Sequence, residues 1–404
     1  MLFSDVIGQQ EVKQHLTDLV ANNRLSHALL FLGKEGSGAL PLAVAFAQYL
    51  VSLPQQAAAE PVADLFGGFS PLPTDNDIQA FIHPNDIAAQ PAYARAAALQ
   101  HPDLHFSFPV ISKKSGEQPV SNDFIADFRS FFQQFPYGNA YDWLQSINAE
   151  NKQGNITGRE CDEISRKLSL KAYESRYKVL VLWMPEYLGN MGNKLLKLIE
   201  EPPPNTIFLL VAENEEQILL TIRSRCQLIK VPTLHPQEVA DALVLRNQTA
   251  PKLALQVANI CDGNYREALQ QIAHAGDDWL ALVRDCLNAS LRQGPAAEVK
   301  WVDEMNKLGR EKQKQFLQFF NHLLAQSLRL RILGDAAVPM ADAERELAHR
   351  MHRMIGFYQL QAIVEELDKA AYYVERNANS KMLFHALSIK MRHIVHEKQF
   401  ITAV

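Results

Sequence analysis

The sequence predicts an α/β domain on a buried parallel sheet, followed by chain that is helical in pattern to its end. Three observations predict it. Residues 178–226 run from a short apolar stretch through a helical pattern to a second apolar stretch. Residues 28–51 set a strand-length apolar run, a glycine-rich turn and a helical run in direct succession. Beyond Val231-Pro232 the composition changes to helices. Strand, helix and strand on short joins imply a right-handed parallel crossover inside a buried sheet.

In chain order, residues 3–25 carry apolar side chains at helical intervals (Val12, Leu16, Leu19, Val20), and 28–32 read as a strand. Gly33-Lys34-Glu35-Gly36-Ser37-Gly38 then leads into a helix over about 39–51. A phosphate-binding loop requires this order: glycines let backbone N–H groups turn inward, and the helix N-terminus adds partial positive charge. A hydrolytic loop also ends in Lys and Ser or Thr. Those positions hold Ala39 and Leu40, while Lys34, near the loop's start, should point to solvent. On the residues alone, Gly33, Gly36 and Gly38 are either a phosphate loop stripped of its reactive groups or a turn without a ligand. Neither reading predicts hydrolysis.

Residues 52–99 read as an insertion, mobile or loosely packed, with Ala57-Ala58-Ala59, Gly67-Gly68 and repeated prolines breaking any period. His101, Asp103 and His105 could hold a metal, but the pattern reads rather as the start of a strand with surface imidazoles. Residues 111–122 are a polar loop. Residues 124–147 are amphipathic and helical, with Phe128, Phe131, Phe132, Phe135, Tyr137, Tyr141 and Trp143 as core or a packing face rather than a base-stacking platform. A helix over 160–171 should turn Ile164, Leu168 and Leu170 inward. Strands are expected at 179–183 and 206–211, with a helix at 193–200 stopped by Pro202, Pro203 and Pro204. In an ATP-hydrolysing domain the first of these strands ends in an acidic pair. Trp183 and Met184 stand there, and Glu186 reads as a surface residue. Two parts of a hydrolytic centre are therefore missing together.

Composition narrows the class. The 404 residues are 47 % apolar and 21 % charged, which suits a soluble chain with sizeable cores. A net charge of −5 argues against nucleic-acid binding by bulk charge. Neither a membrane span nor a signal peptide is indicated. Cys161, Cys226, Cys261 and Cys286 lack paired spacing, so reduced thiols in a cytoplasm are expected and no metal site is.

Several motifs carry a resemblance. Val6-Ile7-Gly8-Gln9, the run from Asn193 through Glu200-Glu201-Pro202-Pro203, Thr221-Ile222-Arg223-Ser224-Arg225-Cys226, Gly263-Asn264-Tyr265-Arg266-Glu267-Ala268-Leu269 and Asn377-Ala378-Asn379-Ser380-Lys381-Met382-Leu383-Phe384 resemble the clamp-loader branch of the AAA+ proteins. More narrowly they resemble the delta-prime family of bacterial DNA polymerase III, well to about residue 275 and more weakly beyond. The resemblance implies an AAA+ P-loop-type domain with a degenerate nucleotide site over 1–232, a small helical lid over 233–276 and an all-α collar over 277–404. It implies that Arg225, between Ser224 and Cys226, projects into the ATP site of an adjacent subunit. A guanidinium suits that task, being permanently charged and able to fork two hydrogen bonds onto phosphate. Asn214 and Arg266 match the family's two nucleotide sensors only as remnants: Ala212 and Glu213 replace the usual hydroxyl residues beside Asn214, and Arg266, with Ala39, Leu40, Trp183 and Met184 in place, either senses nucleotide or only supports packing between domains. Many relatives carry a four-cysteine zinc module after the glycine loop; residues 52–99 hold no cysteine, so zinc is not expected. The implied partners are clamp-loader ATPase subunits and the delta subunit in a cytoplasmic hetero-oligomer, with the sliding clamp and primed DNA met through the assembly. No cofactor of its own is required. The rival readings are a stand-alone AAA+ ATPase and a non-hydrolytic ATP-binding module.

Overall fold

The computed structural model describes residues 1–54, 82–112, 116, 118–149, 152–273, 278–334, 342–375 and 378–397. Most of the expected insertion (55–81), part of the 111–122 loop and Asn377 lie outside them. The chain forms two compact units, Met1–Leu269 and Gln270–Val404.

The first unit is built on five parallel strands: β1 (Ala28–Gly33), β2 (Leu104–Ser107), β3 (Lys178–Trp183), β4 (Thr206–Ala212) and β5 (Gln227–Val231), in the order β2-β3-β4-β1-β5. Leu30 lies opposite Leu210 and Leu228, and Leu180 opposite Phe208 and His105. A parallel sheet covered on both faces calls for continuous apolar strands. Every residue of β3 and β4 is buried, whereas edge strand β5 exposes Leu228 and Lys230. Alternate residues feed the two cores. Phe31, Val179, Val181, Leu209 and Val211 join the helix Ala39–Ser52 and an aromatic cluster. Leu30, Leu180, Leu182, Phe208 and Leu210 join the helix Gly158–Ser169 and the segment 185–200 on the other side.

The predicted strands and the helix after the glycine turn are present within a residue or two. The α/β fold with a helical end is as the sequence expects. Three local expectations need correction. The helical stretch at 193–200 is α-helical only over Leu196–Glu200; before it, Pro185–Leu195 is a 3₁₀ segment kinked at Gly189, whose φ is +49°. Spacings of three and four residues do not separate the two helix types. Residues 124–147 form two helices, Ile125–Gln134 and Ala140–Ser146, parted at Pro136-Tyr137-Gly138. Their aromatics are core, with Phe108 stacked on Phe128 at 4.1 Å and Trp143 edge-on to both, but Phe135 is 51 % exposed. Leu170, expected inward, is 62 % exposed because the helix stops at Ser169.

Helices Pro236–Asn247, Pro251–Ile260 and Tyr265–Ala273 follow the sheet. The second unit holds helices Trp279–Asn288, Pro295–Lys307, Arg310–Leu333, Asp342–Met354, Phe357–Glu375 and Ser380–Arg392. Its core gathers Trp301, Phe316, Phe320, Leu323, Leu324, Leu360, Ile363, Leu367 and Phe384. Inside it the buried carboxylate of Glu298 accepts from Ser388 and pairs with Arg392. The residues expected to form a loop at 336–339 lie outside those described.

Candidate functional site

The glycine turn joins β1 to the helix Ala39–Ser52, with Gly36 and Gly38 at φ +69° and +93°. Its concave side is filled by the protein. A Cβ on Gly36 would meet the Asn264 Oδ1 at 1.9 Å, and one on Gly38 the Tyr137 ring at 3.1 Å. The Tyr265 amide donates to the Gly36 carbonyl at 3.2 Å. Tyr137 is held there because its hydroxyl accepts from the Ile7 amide at 2.8 Å, and burial pushes its pKa up to about 12. Gln9, the last residue of the Val-Ile-Gly-Gln motif, donates to the carbonyls of Ser37 (3.0 Å) and Pro232 (2.6 Å), tying the turn to the link that follows the sheet. The recess left between Gly33, Gly38, Tyr137, Trp183 and Met184 has a cavity volume of about 20 Å³. That is room for a water or so, against roughly 300 Å³ or more for a small-molecule site.

Arg266 closes the same place. It is 4 % exposed. Its guanidinium donates through Nε and Nη2 to both carboxylate oxygens of Asp142, the latter at 2.6 Å, and through Nη1 to Glu35 Oε1 at 2.9 Å. Glu35, within the glycine turn, also accepts from Asn139 at 2.9 Å and Asn264 at 3.3 Å. Where a nucleotide sensor would offer its charge to phosphate, this arginine is bound by two carboxylates from the chain itself. A fork-on-carboxylate pair at that burial is a strong, directional contact. Sequence reasoning singled out Arg266 and the glycines but not Tyr137, Asp142 or Glu35. The Asn139–Asp142 capping box was the signal available for Asp142.

At the end of β3 an apolar wall stands where an ATP-hydrolysing domain has carboxylates. Trp183 stacks on Phe131 at 5.8 Å and contacts Phe128, while Met184 turns the chain at φ +58°. Indole and thioether offer no hard oxygen ligand for magnesium. With Ala39 and Leu40 opposite, these residues do not fit a magnesium–triphosphate. Glu186, expected on the surface, instead ties two strand ends together. Its Oε1 accepts from the amides of Glu213 (2.7 Å) and Asn214 (2.9 Å), and burial pushes its pKa up despite them. Asn214 caps the turn Glu215–Gln217, accepting from the Glu216 amide at 2.9 Å, and is not part of the recess lining.

Arg225 lies just after the helix Leu220–Arg223, with about a third of its side chain exposed. Nη1 donates to the Thr221 carbonyl at 2.7 Å and to Ser224 Oγ at 3.4 Å, and Nε donates to Glu200 Oε1 at 2.5 Å. Arg223 pairs instead with Glu215 at 3.0 Å, closing its own loop. Cys226 is half-buried, and burial raises its thiol to about 11, so it is a poor nucleophile at neutral pH. Among the described residues all four cysteines are free, and no group of three or more His, Cys, Asp or Glu is arranged to hold a metal.

His101, expected as a surface imidazole, is 2 % exposed. Its Nδ1 accepts from the Asp103 amide at 3.2 Å and its Nε2 lies 2.9 Å from Glu174, so the proton sits on Nε2. Burial holds its pKa below the usual range. His101 and Asp103 build the join into β2.

Residues 87–235 match the family described as DNA polymerase III, delta subunit. The chain is 24 % identical over 264 residues to DNA polymerase III subunit delta' of Bacillus subtilis, covering 65 % of this chain and 58 % of that protein. It is 30 % identical over 208 residues to subunit delta' of Escherichia coli, covering 51 % and 60 %. To subunit tau of Bacillus subtilis it is 24 % identical over 338 residues, covering 80 % and 46 %. The chain thus spans between about half and three fifths of the length of these curated relatives. The matched segment 87–235 carries strands β2 to β5 and the turn that bears Arg225, and the chain is similar to DNA polymerase III subunits named delta' and tau.

Proposed function

We propose that this chain serves a bacterial sliding-clamp loader as a delta-prime-type subunit that neither needs nor turns over ATP of its own. It scaffolds a cytoplasmic hetero-oligomer with the loader's ATPase subunits and delta, and meets the sliding clamp and primed DNA through that assembly. Arg225 acts in trans on the ATP of a neighbouring subunit, and the all-α region over 277–404 joins the collar. The observation that carries this reading is the contrast between the chain's two arginines. Arg266 is buried between two carboxylates at a filled glycine turn, whereas Arg225 stands part-exposed on a surface turn. Homology to subunits named delta' and tau supports the setting. The reading disfavours a stand-alone ATPase, since the side chains of Ala39, Leu40, Trp183 and Met184 supply neither a cation for phosphate nor an oxygen for magnesium.

The test is the ATPase of the reconstituted loader carrying Arg225→Ala. An arginine supplied in trans accelerates phosphoryl transfer by roughly 10³–10⁵ in known NTPases. Turnover at the neighbour's site should therefore fall about a thousandfold or more while the complex still assembles. Full turnover in an intact complex would remove Arg225 from the mechanism.

A further inference from the structure

We infer that Glu200 is the positioning residue for Arg225, its carboxylate fixing the plane from which the guanidinium reaches a neighbour's phosphate; this rests on the role proposed above for Arg225.

Arginine is a long, flexible side chain, so a finger left free in solvent samples many rotamers. Here the guanidinium is held from two elements distant in sequence. Its Nη1 is fixed by Thr221 and Ser224 of its own turn, and its Nε and Nη2 by Glu200 Oε1 from the segment before β4. Contacts on three nitrogens determine the orientation of a planar group; the local contacts alone would leave it free to swing.

The carboxylate's own placement points the same way. Glu200 is the last residue of the helix Leu196–Glu200, the end at which exposed carbonyls disfavour negative charge. After Glu201 come Pro202, Pro203 and Pro204, whose fixed φ angles stiffen the backbone that leaves the helix. An acid on a rigid support is suited to aiming a partner. Global stability is a poor explanation for the pair, since its side chains are 34 % and 43 % exposed and solvent screens such contacts. The neighbouring arginine gives the contrast. Arg223 binds both the side chain and the carbonyl of Glu215, within its own loop, at 3.0 and 3.2 Å. Both arginines of Arg-Ser-Arg are part-exposed, at 30 % and 34 %; what separates them is that Arg223 closes its own turn while Arg225 is held by a carboxylate from a remote segment.

The test compares reconstituted loaders carrying Glu200→Gln, Arg225→Ala or both, with assembly checked by size exclusion and ATPase resolved into kcat and KM. Glu200→Gln should lower kcat about fivefold with KM for ATP changed less than about twofold. It should have no further effect in the Arg225→Ala background, because a residue acting only through Arg225 has nothing left to position. Normal or raised kcat for Glu200→Gln, beside a slowed Arg225→Ala, would overturn this inference and leave the role of Arg225 standing. Additive losses in the double variant, or failure of Glu200→Gln to assemble, would also overturn it. Normal turnover by Arg225→Ala would sink the underlying reading instead.

Discussion

Single residues set the local electrostatics of this chain, and Asp103 is the clearest case. It is 2 % exposed, and its carboxylate accepts from the amides of Tyr173, Glu174 and Ser175 at 2.6–2.9 Å and from the Ser175 hydroxyl. Burial alone would raise its pKa, but those four donors outweigh burial and leave it lowered. A carboxylate with a depressed folded pKa contributes stability that is complete above its unfolded value of about 3.9 and is lost as pH falls toward the folded value. The lowered His101 adds a second loss in the same direction, beginning near its unfolded value of about 6.5. Asp103→Asn keeps one acceptor and gives up the charge. It should cost about 1–3 kcal/mol at pH 7 and flatten the acid limb below pH 4. Denaturant midpoints at pH 7, 5 and 3.5 would check both; an acid limb as steep as the parent's would refute the hydrogen-bond account.

At the scale of elements, the glycine turn and the helix that begins at Tyr265 are built as a contact pair. Gly36→Ala would put a methyl into Asn264, including its backbone Cα at 2.9 Å, at a φ of +69° that disfavours any side chain. Overpacking at about 1–3 kcal/mol adds to left-handed strain of roughly 1–2 kcal/mol. Thermal or denaturant unfolding should therefore show Gly36→Ala losing about 2–5 kcal/mol; a loss of only about 1–2 kcal/mol, the backbone strain alone, would mean that the contact is slack. These elements also mark what the sequence could disclose. β1, β3 and β4 were legible because a doubly covered strand must be apolar at every position. The break at Pro136-Tyr137-Gly138 was written in its proline and glycine, yet helical spacing on either side masked it. The filling of the turn was not legible: Arg266 meets Asp142 and Glu35 across 124 and 231 residues, and no local period encodes that. Arg225 stands out by its motif, but its contact with Glu200, 25 residues away, follows no local period and was not legible.

For the molecule as a whole, the question is whether the glycine turn can open to a ligand. Binding a triphosphate at this turn would require Asn264 and Tyr137 to leave the glycines and Arg266 to break from two carboxylates while 4 % exposed. Separating a buried, forked pair leaves its members unpaired, which is the expensive way to open it. Magnesium would gain no carboxylate from Trp183 or Met184 in return. The thermodynamic consequence can be read on the isolated chain. A ligand that binds the native state stabilises it by about 2.7 kcal/mol at a hundred times its Kd, which for a unit of this size is roughly 5–10 °C in Tm. Millimolar ATP with magnesium should leave the unfolding of the Met1–Leu269 unit unmoved, and labelled ATP should show no saturable binding. A clear upward shift would mean that the turn opens at modest cost. The chain would then be a nucleotide-holding subunit, and the pair of carboxylates on Arg266 a latch rather than a permanent filling.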